Sequence, residues 1–252
     1  MFRIAIGSLL GLMLFSGSVY AARPLITDDT GTQGKGKFQL ELGYEFDHDD
    51  SGGVEEDIHN ATSVLTYGVT DTVDVVVGLP YQFISTKERR DTRREDGISD
   101  MTLELKWRFF EWKGLSLAAK PGLSIPTGDD DKGLGAGRAG GSFYFIASQE
   151  LEPWAFHFNA GYERNENSVN EETDLWHVSL ATEVQVSKWL KLVADVGAEK
   201  NTDKEDNTPA AFLLGGVILP LTENLDLDFG IKGGLTDPET DYAFLGGVTI
   251  RF

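Results

Sequence analysis

Polar and apolar positions alternate with period two along most of the chain. In Leu190-Lys191-Leu192-Val193-Ala194-Asp195-Val196-Gly197-Ala198-Glu199 the even positions are apolar and the odd ones mostly charged or small. A helix would scatter that charge around every face, whereas a strand places Lys191, Asp195 and Glu199 on one side. Residues 38–46, 101–109 and 225–232 repeat the pattern. The same template predicts strands over 37–47, 58–69, 73–84, 98–110, 115–126, 139–149, 154–164, 174–186, 189–200, 209–219, 225–235 and 241–252. These twelve segments average about 11 residues, the length that crosses a bilayer when tilted by about 45°. An even count also returns both ends of a closed antiparallel barrel to one side.

The connections alternate in length. Short turns (70–72, 111–114, 150–153, 187–188, 221–224) take turns with longer, acidic loops (48–57, 87–97, 127–138, 165–173, 201–208, 236–240). Short periplasmic turns and long extracellular loops are the arrangement of outer-membrane barrels. Aromatic residues near the strand ends, among them Tyr44, Tyr81, Trp107, Trp154, Tyr162, Trp176, Trp189 and Tyr242, fit the girdles at the two membrane interfaces. Two packed sheets would bury the same faces, but they give no reason for strict alternation of short and long connections. The expected fold is therefore all-β, a transmembrane antiparallel barrel of about 12 strands over residues 37–252.

Composition agrees only after the pattern is known. The 252 residues carry 22 Lys plus Arg against 41 Asp plus Glu and no cysteine. The absence of cysteine excludes disulfides, thiolate nucleophiles and Cys-ligated zinc, and four scattered histidines form no helical metal pair, so no metal or cofactor is expected. A formal charge of -19 disfavours nucleic acid.

Residues 1–21 read as a secretory signal peptide: Arg3, an apolar run of about 12 residues, then Val19-Tyr20-Ala21, with cleavage expected after Ala21. The run is too short to span the membrane as a helix. Residues 22–36 then form a periplasmic N-terminal segment, able to lie inside or below the lumen, before strand one. The last strand ends on Phe252 with apolar residues at every second position back to Tyr242, which reads as the signal recognised by the outer-membrane assembly machinery. Expected surroundings are thus the Gram-negative outer membrane, its lipid and lipopolysaccharide, that machinery, and a small-molecule solute.

The candidate lumen lining is Glu41, Glu45, Asp74, Glu104, Lys106, Arg108, Lys120, His157, Asn159, His177, Ser179, Glu183, Asp195, Asp226, Asp228, Lys232 and Arg251. Acids outnumber bases among them, and rings of one sign set pore selectivity through their field. This predicts a weak preference for cations or neutral solutes. The same residues paired across the lumen would instead plug a structural or adhesive barrel.

The opening Arg23-Pro24-Leu25-Ile26-Thr27-Asp28-Asp29-Thr30-Gly31-Thr32-Gln33-Gly34-Lys35-Gly36-Lys37-Phe38-Gln39-Leu40-Glu41, with Gly68-Val69-Thr70-Asp71-Thr72-Val73 and Leu79-Pro80-Tyr81, resembles the outer-membrane family labelled for the meta-pathway of phenol degradation. The resemblance implies a transporter-like barrel passing aromatic or other hydrophobic small molecules. It implies no catalytic residues.

Two other chemistries remain open. His177-Val178-Ser179, with Asn159 and His157 one strand away, contains the residue types of a wall hydrolase, if the 165–173 loop closes symmetrically and sets Asn159 opposite Ser179. A polar lumen patch uses the same residues, and no enzyme is expected. Asp28-Asp29, Asp129-Asp130-Asp131 and Asp47, Asp49 and Asp50 around His48 are acidic enough for a divalent cation, although solvated acidic loops account for such runs.

Overall fold

The computed structural model describes residues 23–89 and 91–252, so the expected signal peptide lies outside the described residues. The chain forms β1 (Phe38–Ser51), β2 (Val54–Gly68), β3 (Val73–Glu88), β4 (Asp91–Ile98), β5 (Met101–Trp112), β6 (Leu115–Ile125) and β7 (Gly140–Leu151). It continues through β8 (Trp154–Arg164), β9 (Asp174–Ser187), β10 (Leu190–Glu199), β11 (Ala210–Thr222), β12 (Leu225–Gly234) and β13 (Tyr242–Arg251). Ladders are antiparallel throughout, and β1 pairs with β13 to close the barrel. β4 and β5 both pair with β3, β4 against Tyr81–Glu88 and β5 against Val73–Gly78. They are two pieces of one wall, broken at Ser99-Asp100, so the barrel has the twelve walls that the alternation predicts.

The break has a cause. The Asp100 carboxylate accepts the Gly128 N–H at 2.9 Å and the Ala136 N–H at 2.8 Å, which turns the chain out of the ladder and fastens the 127–138 loop to the rim.

Polarity is inverted relative to a soluble protein. On β1, Gln39, Glu41, Glu45 and Asp47 are buried while Leu42 and Tyr44 are exposed, and on β9 His177, Ser179 and Glu183 are buried while Trp176, Val178 and Leu180 are exposed. A continuous apolar outer band of this kind matches lipid rather than water. Trp112, Trp154, Trp189 and Phe252 ring its periplasmic edge, and Tyr81, Tyr162, Trp176 and Tyr242 its outer edge, all exposed.

Two of the expected long loops are strand instead. Residues 48–57 and 87–97 lie almost wholly in ladders, so β1 to β4 rise beyond the outer girdle. The hairpin between β1 and β2 turns on Gly52 and Gly53, whose φ values of 63° and 88° are those of a tight two-residue turn matched to strand twist. Lys87 to Glu55 at 2.6 Å and His48 to Asp57 at 2.7 Å pair side chains across the ladder. Charge density had marked this region as loop, but cross-strand pairing makes it sheet.

Candidate functional site

The opening segment takes the first of the two placements open to it, inside the lumen rather than below it. Arg23 to Asp28 and Thr30 are buried, and they sit inside the barrel. The segment crosses the lumen from wall to wall. Arg23 lies beside Asp228 of β12 at 3.5 Å and donates to the Gly246 carbonyl of β13 at 3.1 Å. The Ile26 and Thr27 N–H groups both donate to Asp195 Oδ2 on β10, at 2.8 and 2.7 Å, and the Thr27 hydroxyl donates to Oδ1 at 2.6 Å. The Asp28 N–H donates to Asn159 Oδ1 at 2.8 Å, and Asn159 Nδ2 donates back to the Asp28 carbonyl at 2.7 Å. Thr30 reaches Ser148 on β7 and Ser116 on β6. The segment then returns to the periplasmic rim, where the Gln33 N–H meets Asp74 at 2.9 Å and the Gly36 N–H meets the Gly68 carbonyl at 2.7 Å.

Wall side chains do what strand pairing would otherwise do. A non-helical backbone at membrane depth is tolerated only where its polar groups are satisfied inside the protein, and Asp195, Asn159, Ser148 and Asp74 supply those partners. Asp195 and Asn159 thus serve as anchors for the segment and do not face open water.

Inward glycines make room for it. A Cβ at Gly43 would stand 1.7 Å from Arg23 Nη1, one at Gly247 2.4 Å from Arg23 Nε, and ones at Gly216 and Gly230 within 2.9 Å of Pro24. Leu25 and Ile26 complete an apolar cluster with Val193, Phe212, Leu214 and Leu245. Gly43→Val should therefore displace the Arg23 guanidinium, and with it the segment's anchor on Asp228 and Gly246, while leaving the ladder intact. The chain lacks cysteine, so a cysteine placed at Leu25 is a clean reporter, and its labelling by a water-soluble maleimide should rise about tenfold in the Gly43→Val background. Unchanged labelling would mean that this glycine does not seat the segment.

Charges within the lumen are matched locally. Lys106 Nζ lies 2.8 Å from Asp28 Oδ1 and 3.5 Å from Asp29 Oδ1, and Lys120 Nζ lies 2.9 Å from Asp28 Oδ2 and 3.6 Å from Glu104. Lys191 pairs with Glu183 at 3.0 Å, and Arg251 with Asp226 at 2.8 Å. Arg108 lies 3.5 Å from Glu111. Near the outer end, the fully buried Lys232 sits among Glu45 at 3.2 Å, Asp47 at 3.4 Å and Glu239 at 3.3 Å. Glu239 belongs to the loop between β12 and β13, so this cluster draws that loop down over the mouth. Burial pushes the Glu239 carboxyl above its ordinary range, and Lys232 opposes that rise. Glu41 is buried among these groups with one carboxylate oxygen lacking a hydrogen-bond partner.

Beneath the segment lies a cavity of about 1410 Å³. Asp28, Lys106, Lys120, His157, Glu183 and Asp226 line it, together with the periplasmic turn residues Gly114, Pro153 and Asn224. It is a periplasm-facing vestibule whose inner end is the segment.

The serine and histidine pairs are close; Ser179 with His177 is buried away from the vestibule, whereas Ser148 with His157 lines it. Strand register sets Asn159 opposite Ser179 and Gly161 opposite His177. His177 Nε2 is 3.0 Å from Ser179 Oγ, and Nδ1 is 3.2 Å from Glu199. His157 Nδ1 is 2.8 Å from Ser148 Oγ, with Nε2 3.8 Å from Glu183. A hydrolase also needs donors aimed at a developing oxyanion. Here the strands bearing these residues are paired on both sides, and Asn159 is spent on Asp28. Of the acidic runs, Asp28 is clamped by lysines, Asp47 faces Lys232, and Asp130 accepts from Ser168. Among the described residues no group of three or more His, Asp or Glu is arranged to hold a metal ion.

A closed twelve-walled barrel with an apolar exterior, aromatic girdles and a charged interior is an outer-membrane-type β-barrel. Solved structures of that class superpose over most of the chain. The β domain of the Bordetella autotransporter Brka has a TM-score of 0.59 at 13% identity, covering 86% of this chain and 100% of that one. The KdgM porin has a TM-score of 0.56 at 7% identity over 85% and 99%, and the translocator domain of autotransporter NalP from Neisseria meningitidis 0.51 at 13% over 87% and 89%. At these identities the likeness is one of fold. The chain belongs to the family described as "Putative MetA-pathway of phenol degradation", which matches residues 21–252. No curated protein matches it in sequence.

Proposed function

We propose that the protein is an outer-membrane channel for small solutes, resting in a closed state in which its own N-terminal segment fills the lumen. One observation carries this reading: residues 23–33 cross the barrel without joining the sheet, held by side chains above an open vestibule. The segment is seated by side-chain polar contacts and one apolar cluster through Leu25 and Ile26, and is joined to β1 through Gly34 and Gly36, at φ 84° and 78°, which give the junction conformational freedom.

Solute class follows from the lining. The vestibule is faced by charged and hydroxyl side chains, which suit a polar or ionisable small molecule. The family's description points to phenol degradation, and an aromatic solute bearing a hydroxyl or carboxyl group is compatible with both. An unsubstituted hydrocarbon would desolvate these polar groups without pairing them. The apolar belt and Phe252, whose ring stacks on Phe38 at 5.7 Å beside the closing seam, support residence in the outer membrane after insertion by its assembly machinery.

A filled lumen serves equally well in a structural or adhesive barrel, and reconstitution separates the two. Intact protein in planar bilayers should give rare, small conductance steps, and Gly43→Val frequent, larger ones with solute entry in liposome swelling. Neither steps nor flux from either protein, with both folded, would leave the plugged structural barrel as the answer. Ser148 is already engaged by the Thr30 N–H and by His157, and Asn159 by Asp28, which supports a non-enzymatic role.

A further inference from the structure

We propose that Lys106 and Lys120 form a binding site for small organic carboxylates, which the protein's own Asp28 occupies in the closed state. An incoming carboxylate then competes with the segment and favours the open lumen. The inference rests on the channel reading and names the solute chemistry that would operate it.

The geometry is that of an occupied carboxylate clamp. Asp28 presents one oxygen to each lysine, at 2.8 and 2.9 Å, and both ammonium groups are buried. Charge-assisted contacts of this length are among the strongest available to a carboxylate. The lumen's other cations are neutralised by acids of the barrel wall or its rim, as in Lys191 with Glu183 and Arg251 with Asp226. Lys106 differs, because both carboxylates within 4 Å of it belong to the segment. Departure of the segment would thus take from both ammonium groups their shortest carboxylate contacts, with Glu104 3.6 Å from Lys120 and Glu41 and Asp74 acting on Lys106 from farther off. Breaking a buried pair by removing one partner is costly because an uncompensated charge stays behind. A free carboxylate cancels that cost in the open state and finds both lysines already taken by Asp28 in the closed one. It therefore has the differential affinity that a ligand needs to shift an equilibrium. The clamp lines the vestibule, so a solute reaches it without first crossing the segment.

An acidic chain would be expected to prefer cations, yet three of its basic lumen residues, Lys106, Arg108 and Lys120, share two adjacent strands, β5 and β6. With the segment out, this stripe favours anions.

Propionate copies the CH2–COO⁻ of an aspartate side chain, and propionamide is its neutral counterpart. In the full chain, Ile26→Cys places the reporter thiol on a buried part of the segment. Propionate should accelerate maleimide labelling about tenfold, while propionamide and chloride at equal ionic strength should not. Lys106→Met with Lys120→Met should abolish the acceleration. Asp28→Asn should raise basal labelling and lower the propionate concentration at half-effect about tenfold. Heat-modifiable migration on gels verifies that each variant is a folded barrel, and Asp28→Glu, which keeps the competitor, should behave as the parent protein. Equal acceleration by propionamide, no acceleration by propionate, or an unchanged midpoint in folded Asp28→Asn overturns the site. If Asp28→Asn conducts in bilayers without any propionate effect, the channel stands and the clamp falls. If propionate drives labelling and nothing conducts, the clamp stands and the channel falls.

Discussion

Deleting residues 23–31 should turn a mostly closed protein into an open pore, raising single-channel conductance on the order of tenfold or more. In a barrel this wide, inward side chains and internal segments decide whether it conducts. The deleted stretch fills the lumen at mid-height, from Arg23 at Asp228 to Thr30 at Ser148. Stability should fall without loss of the fold, because the ladders begin at Phe38 and the Gly36 bond to Gly68 is retained. The apolar cluster loses Leu25 and Ile26, which at about 1.5–3 kcal/mol for each buried side chain accounts for a lowered unfolding temperature. The pore should also be less cation-selective than its acidic composition suggests, since Lys106 and Lys120 lose Asp28. Reversal potentials in a salt gradient read that directly. A deletion protein that folds yet conducts like the parent would show that something other than this segment closes the lumen.

Lys232→Met should be among the most destabilising single substitutions in the chain. Lys232 is fully buried and faces three carboxylates within 3.4 Å, Glu45, Asp47 and Glu239. Removing the one cation leaves like charges together in a poorly solvated site, and losing one partner of a buried pair costs about 3–5 kcal/mol. The protein can relieve this by releasing the 235–241 loop, which carries Glu239 outward. Protease cleavage in that loop should therefore increase before the barrel itself melts. The pH dependence has a defined sign. Burial already raises the Glu239 carboxyl and Lys232 restrains it, so loss of Lys232 lets it rise further. An acid with a raised folded pKa costs stability above its unfolded value, so the variant's deficit should be largest near neutrality and shrink as pH falls toward about 4.3, the ordinary value for glutamate. A deficit independent of pH, with the loop still protected, would contradict this account.

The barrel was legible in the sequence because its cause is local. A strand embedded in lipid must show apolar groups outward at every second residue, and the lumen takes the remainder. That rule alone puts Glu41 and Glu45, or Lys106 and Arg108, on the inner face beside outward Leu42, Tyr44, Leu105 and Trp107. The tall β1–β4 extension was not legible, because above the membrane neither face needs to be apolar and period two fades. Gly52-Gly53 was the available signal, a two-glycine turn between runs of nearly equal length.

What the lumen contains was set by contacts between residues far apart in sequence. Asp28 and Lys106 are 78 positions apart, and Thr27 and Asp195 are 168 apart. No periodicity reports such pairs, because the segment has no regular structure of its own and takes its path from the wall that receives it. The inward glycines Gly43, Gly216, Gly230 and Gly247 read as small residues on a barrel wall until Arg23 and Pro24 are seen against them. The sequence by itself determined a lipid-embedded barrel with a charged interior, since each strand must satisfy the bilayer independently. Only the tertiary structure decided that this interior is crossed by the chain's own opening segment, because matching Asp28 to two lysines requires the walls to be assembled first.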